Sequence, residues 1–131
     1  MDGGEWKLKR SIIIVLSSLI VIVSVILFFS KSENLEVGGI WELSSSSDEC
    51  FTRVRFFDNI PNVKGIVIDE TEGNYTQVWF GTYSIKDDNI SVTLEEPKAD
   101  PFTMIGSKDG NHLNLQYNWK GKDSSCSYDI R

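Results

Sequence analysis

The sequence predicts an all-β fold, a small antiparallel up-and-down barrel of about eight strands, preceded by one transmembrane α-helix. Three observations lead there. Residues 11–29 form a nineteen-residue run without a charged side chain. Beyond it, short stretches alternate apolar and polar residues with the period of half-buried strands. Between those stretches stand Gly, Asn, Asp and Pro, which tolerate or preset turn dihedrals. A chain of 131 residues holds one core and is too short for two. A two-sheet sandwich is the alternative for the same strands. Closure into a barrel is favoured because it removes the edges that an open sheet has to protect.

The run from Ser11 to Phe29 is rich in Ile, Val and Leu. As a helix it spans about 28 Å, close to the hydrocarbon thickness of a bilayer. In lipid an isolated segment must satisfy its own backbone hydrogen bonds, which a lone strand cannot do. Lys7, Lys9 and Arg10 precede the run and Lys31 alone follows it closely, so the amino terminus is expected in the cytoplasm. A cleaved signal peptide is the alternative. Against it, the run is long and Phe28, Phe29 and Lys31 stand where small residues would be needed. The expected organisation is a cytoplasmic tail at 1–10, a signal anchor at 11–29, a linker at 30–38 and an extracytoplasmic barrel at 39–131. Ser17 and Ser24 share one helical face and offer a surface for a second helix.

Strands are expected in order at Gly39–Ser44, Cys50–Phe57, Val63–Ile68, Tyr75–Ile85, Asn89–Leu94, Phe102–Ile105, His112–Trp119 and Ser125–Ile130. In the second, Cys50, Thr52, Val54 and Phe56 face one way and Phe51, Arg53, Arg55 and Phe57 the other. Asp109-Gly110 is the strongest hairpin signal, read as a type I′ turn. Lys86-Asp87-Asp88-Asn89 and Lys120-Gly121-Lys122-Asp123 read as further hairpin loops. Cys50 and Cys126 fall on inward positions of the second and last strands. A disulfide between them can persist outside the cytoplasm, with two buried free thiols as the alternative.

The net charge of −6 is a sum over unlike parts. Residues 1–10 carry +1, residues 11–33 are neutral, and residues 34–131 carry −7 from nine basic and sixteen acidic side chains. An acidic domain is a poor match for nucleic acid. One histidine and two cysteines are too few for a usual zinc site, and no pattern requires a cofactor. His112 stands beside a turn, no nucleophile elbow is present, and Asp69-Glu70, Asp87-Asp88 and Glu95-Glu96 are expected as solvated carboxylates in or beside turns. Enzymatic activity is therefore not expected. Asn74-Tyr75-Thr76 and Asn89-Ile90-Ser91 match the glycosylation acceptor pattern, which matters only in a eukaryotic secretory pathway.

Gly39-Ile40-Trp41 resembles the G-x-W element that opens the first strand of lipocalins and related calycins. Gly81-Thr82-Tyr83-Ser84-Ile85 with Asp88-Asn89-Ile90-Ser91-Val92-Thr93-Leu94 resembles a hairpin of small bacterial lipocalin-like domains. The whole layout is similar to the ToxS-like, VtrC-like and FidL-like accessory proteins, which join an amino-terminal anchor to a small periplasmic barrel. That resemblance implies an inner-membrane protein whose periplasmic barrel binds and stabilises a membrane partner, a ToxR-type transcription regulator, and a small apolar ligand such as a bile salt. It also implies a basic residue from the last strand over Trp41. Arg131 is the candidate, although alternation puts it opposite Tyr128 and Ile130.

The expected inward set includes Trp41, Leu43, Val54, Phe56, Ile90, Val92, Leu94, Leu113, Leu115 and Tyr117. Eight strands leave an interior that side chains can just fill, or that holds one small ligand. Strands this short favour filling. For an interior ligand the candidates are Trp41, Phe56, Tyr83, Leu115, Tyr117 and Tyr128, with the tyrosines as polar handles. The alternative function is a membrane-anchored inhibitor or immunity protein whose acidic surface steers towards an extracytoplasmic enzyme or toxin.

Overall fold

The structure, a computed structural model, describes residues 3–29, 35–45 and 49–131. The chain divides into two compact units, Met1–Glu33 and Asn34–Arg131. Most of the expected linker, at 30–34 with Lys31, lies outside the described residues.

The first unit is a single helix, α1 (Gly3–Phe29), which begins within the expected tail. Every described side chain on it, from Gly4 to Ser24, is exposed. The serines turn inward on the helix itself. Ser17 Oγ donates to Ile14 O at 2.9 Å, Ser18 Oγ to Ile14 O at 2.6 Å and Ser24 Oγ to Ile20 O at 2.8 Å. Such bonds satisfy a hydroxyl without water or a neighbour. Among the described residues no helix is long and apolar enough to cross a membrane. The uncharged stretch whose side chains are described is Ser11–Ser24, fourteen residues. At 1.5 Å per residue it covers about 21 Å, and the sequence runs on uncharged through Phe29.

The second unit is a closed, up-and-down antiparallel barrel. Its strands are β1 (Gly39–Leu43), β2 (Arg53–Ile60), β3 (Val63–Glu72), β4 (Tyr75–Lys86), β5 (Asn89–Glu96), β6 (Phe102–Asp109), β7 (His112–Trp119) and β8 (Lys122–Ile130). Each pairs with the next, and β8 closes on β1 through Trp41↔Ile130, Glu42↔Asp129 and Leu43↔Tyr128. Closure leaves no unpaired edge. One end of the barrel, the entry end, carries the chain's arrival at Gly39, its exit at Ile130 and three tight turns. The far end carries the β1–β2 and β5–β6 loops and the other two turns.

All eight expected strands exist, with shifted limits in all but β7. β2 starts at Arg53, so Cys50 and Phe51 belong to the segment leading into it. β3, β6 and β8 run several residues further than the alternation indicated, because tight turns let hairpin arms pair to their tips. The turns are diagnostic. At Pro61-Asn62 only Asn62 has positive φ (66°), the pattern of a type II turn with Pro first. The β6–β7 turn centres on Gly110-Asn111, and only Gly110 (57°) is positive. That corrects the type I′ expectation to II′. The I′ pattern, positive at both centres, occurs instead at Lys120 (52°) and Gly121 (80°), with Trp119 opposite Lys122.

Inside lie Trp41, Val54, Phe56, Ile66, Ile68, Tyr83, Ile90, Val92, Leu94, Met104, Leu113, Leu115, Tyr117, Cys126 and Tyr128, all buried. Leu43 is only partly buried. Gly81 sits at a bulge in β4, where a Cβ would come within 2.1 Å of the Thr93 carbonyl oxygen. Only glycine permits that approach of β4 to β5.

Candidate functional site

The six interior candidates occupy different heights of one core. Trp41, held near the entry end by β1, donates its indole N–H to the Val37 carbonyl oxygen at 2.7 Å. This bond fixes the residues just before β1 across the mouth, where Val37 is 2% exposed and Leu35 packs against the core. Gly106 admits Leu35, whose Cδ2 would stand 2.5 Å from a Cβ there. The entry end is thereby plugged by the chain's own approach.

The cation over Trp41 is Lys108, its Nζ 5.9 Å from the ring centroid. Arg131, expected there, instead donates to Glu42 Oε1 at 3.1 Å. Strand alternation explains the correction, since Arg131 follows Ile130 on the opposite face. Phe56 and Tyr83 meet edge to face with centroids 5.0 Å apart. Tyr83 reaches an open depression at the same end, bordered by Asp58, Val63, Lys64 and Thr82. Burial raises its phenol pKa, and the nearby Asp58 carboxylate adds to the shift.

The far end is closed by the segment before β2. Cys50 and Cys126 form a disulfide with Cα atoms 5.8 Å apart. The bond holds Phe51 against Tyr117, the rings stacked at 4.7 Å and 8°. Phe51 N–H donates to the Tyr117 hydroxyl at 2.9 Å, and the Tyr117 and Tyr128 hydroxyls share a hydrogen bond of 3.1 Å. The Tyr117 oxygen also lies 3.2 Å from Cys126 Sγ, and Leu115 stands opposite Cys126 in register. Tyr117, Tyr128 and both cysteines therefore form one node, whereas Trp41, Phe56 and Tyr83 lie apart from it. Burial raises the Tyr128 phenol far above its ordinary range, with Tyr117 beside it as a further cause. Burial is also the main cause of the rise at Tyr117, and Glu70 opposes ionisation there too.

Phe51 corrects the sequence reading, which placed it outward with Arg53 and Arg55. It precedes the strand, so strand parity does not govern it. The adjacent cysteine was the available signal, because a bond to an inward Cys126 draws Phe51 over the mouth. Around it pack Phe102, Trp119 and, against Trp119, Trp79. Ile66 and Ile68 were also absent from the inward set, although their alternation in the third stretch was visible.

Outside, Asp69 and Glu70 are not solvated turn residues. β3 carries both to partners. Asp69, 14% exposed, accepts from Arg55 at 3.1 Å and faces Arg53 at 3.8 Å. Glu70 accepts from Trp119 Nε1 at 2.8 Å and from Lys120 Nζ at 2.7 Å. Arg53 also donates to Glu42 at 3.0 Å, so a chain of charge runs Arg131–Glu42–Arg53–Asp69–Arg55 across the outer face. Nε of both Arg53 and Arg55 is buried without an acceptor among the described residues.

His112 pairs with the Asp129 carboxylate on the exposed surface. Asn74, in the β3–β4 turn, and Asn89, at the start of β5, are both exposed. A second shallow depression crosses β5–β8 between Asn89, Thr103, Ile105, Gln116 and Ser125. Among the described residues no three His, Cys, Asp or Glu side chains gather to hold a metal.

No family model matches this chain, and neither a curated protein nor a solved structure does. The site's own chemistry carries its functional reading. Its interior is packed by apolar and phenolic groups that contact one another, its ends are plugged by chain, and its charged side chains lie on the outside.

Proposed function

We propose that this protein is a membrane-anchored, extracytoplasmic binding module of the lipocalin-like accessory type. On this reading α1 spans the inner membrane with its amino terminus in the cytoplasm, and the bilayer is its first partner. The barrel lies in the periplasm and binds and stabilises a membrane protein, a ToxR-type signalling regulator.

The packing of Trp41, Phe56, Tyr83, Leu115, Tyr117 and Tyr128 carries this reading. With those side chains spent on one another, recognition falls to the outer surface and the mouths. A small apolar ligand such as a bile salt then needs a pocket completed by the partner, and the depression beside Tyr83 is the place for it. Supporting the anchor, the helix exposes Ile, Val and Leu on every side, which costs about 25 cal/mol per Å² in water and nothing in lipid.

Affinity purification of the full chain from detergent-solubilised membranes tests this. The expected result is co-purification of one membrane protein with a cytoplasmic regulatory domain. Recovery of the protein alone overturns the reading. Recovery of a secreted enzyme or toxin would instead favour the inhibitor reading, for which the −7 charge of residues 34–131 is the supporting observation.

A further inference from the structure

The ring itself has no unpaired edge, but the β3–β4 hairpin runs past it. β4 pairs with β3 from its first residue, Tyr75, which stands opposite Glu72. Its pairing with β5 begins only at Phe80, opposite Glu96. There β5 leaves the ladder, because Pro97 has no N–H to give and the chain turns back through Glu95↔Lys98. Among the described residues Tyr75–Trp79 therefore has a strand on one side only, over about 17 Å.

Ladder geometry decides which backbone groups are open. Thr52 N–H donates to the Asp69 carbonyl oxygen at 2.9 Å, so the Asp69 backbone points towards β2. Val78 stands opposite Asp69, and each member of such an antiparallel pair turns its N–H and C=O away from the other. Val78 and, two residues earlier, Thr76 thus present donor and acceptor to the open side. The Gln77 side chain donates to the Val78 carbonyl at 3.0 Å. Among the described residues no hydrogen bond from outside the hairpin reaches the other three groups. Proteins usually guard such an edge with Lys, Pro or a bulge. From Gly73 to Ile85 no residue is charged and none is proline, and the bulge at Phe80/Gly81 lies beyond the open stretch. Tyr-Thr-Gln-Val-Trp is instead a composition that favours pairing.

Backbone donors and acceptors repeating every second residue are met by another extended backbone. A strand added there continues the line of β5, so one of its ends abuts the β5–β6 loop. That loop carries Glu95, Glu96 and Asp100 against Lys98, and among the described residues none of the three carboxylates is ion-paired. A basic residue at that end complements it. A second copy of this chain fits poorly. Paired antiparallel, two β4 edges set the entry ends on opposite sides, whereas anchors in one membrane call for the same side. Paired in parallel, each β4 runs into the Glu96 end of the other copy's β5. We propose that Tyr75–Trp79 takes up an extended segment of a partner protein as a ninth strand. The segment runs antiparallel to β4, is uncharged in its middle and is basic where it begins, beside Glu95 and Glu96. This rests on the binding-module reading above and adds the chemistry of what is bound.

The test selects a phage-displayed library of random dodecapeptides against the full chain in detergent micelles. Enriched peptides should alternate apolar residues, begin with Lys or Arg and lack Pro in the middle. Their binding should weaken by about tenfold or more in Val78→Pro, which removes an open N–H and leaves the β3 ladder intact. Thr76→Pro, nearer the hairpin tip, should do the same, and circular dichroism checks that each barrel is folded. Glu95→Lys with Glu96→Lys should weaken binding several-fold, and less so at high salt. Methylating alternate peptide nitrogens of one parity should abolish binding, and of the other parity should leave it unchanged. Bound peptide should slow hydrogen exchange at the Thr76 and Val78 amides. A selection that enriches nothing overturns the proposal, and so does binding that survives both proline variants with folded barrels. Co-purification of a membrane regulator undiminished by Val78→Pro would overturn this docking mode and leave the partner reading standing. Peptide binding at β4 without any such regulator would support the mode and overturn the regulator alone.

Discussion

Gly81 and Tyr128 are single residues with measurable consequences. Adding one methyl at Gly81 drives it into the Thr93 carbonyl at 2.1 Å, with the Leu94 backbone close behind. Gly81→Ala should cost about 3 kcal/mol, because the obstruction is backbone and cannot swing aside. The midpoint and slope of a urea titration would show it, and an unchanged midpoint would contradict the close approach. Tyr128→Phe removes one buried hydroxyl pair and should cost about 1 kcal/mol at neutral pH. Burial also holds the Tyr117 and Tyr128 phenols above 10.0 in the folded state. The native protein thus keeps protons that the unfolded chain releases above about pH 10. Their contribution is whole below that pH and is lost as pH climbs towards the folded values. Melting temperatures should therefore fall from pH 9 to pH 11, and less steeply in Tyr128→Phe. At this scale the sequence was readable along most of the strands, β3 excepted. Trp41, Val54, Ile90, Val92, Leu94, Leu113 and Leu115 follow parity into the core. Phe51, Asp69 and Glu70 were misread because their positions depend on a disulfide and on hairpin length, which no short window contains.

Among elements, the two plugs differ in kind. At the far end a covalent bond holds the plug, closing a loop between residues 76 apart. By loop-closure entropy it is worth about 4–5 kcal/mol, so reduction should lower the denaturation midpoint markedly. A shift below 1 kcal/mol would mean that the unfolded chain is already restrained. At the entry end the plug is held by one indole hydrogen bond and by burial of Val37. Val37→Ala should cost about 2 kcal/mol in the same titration, with a new solvent-exposed signature in Trp41 fluorescence. The eight strands and their order were legible from alternation and turn residues. Turn geometry was legible only in part. Pro61-Asn62 and Lys120-Gly121 carry their φ preferences openly, whereas Asp109-Gly110 was assigned the wrong centre, one residue early. Pairing register decides that, and register is a property of two strands together.

At the scale of the whole molecule, charge and hydropathy divide the chain at about residue 33. The full chain should sediment with membranes and resist extraction by high salt, and a chain begun at Asn34 should remain in the supernatant. Soluble behaviour of both would remove the anchor from the proposal. The barrel itself has one property that follows from its closure. Arg131 N–H donates to the Ile40 carbonyl at 3.0 Å, so the last described residue touches the first strand. A ring of sequentially paired strands has no privileged beginning. Joining residue 131 to residue 34 through a few glycines and opening the chain between Lys120 and Gly121 should give a circular permutant with the same fold, since that turn is exposed. The cut would make the old last strand the new first one, and Cys126 would precede Cys50 along the chain without either sulfur having to move.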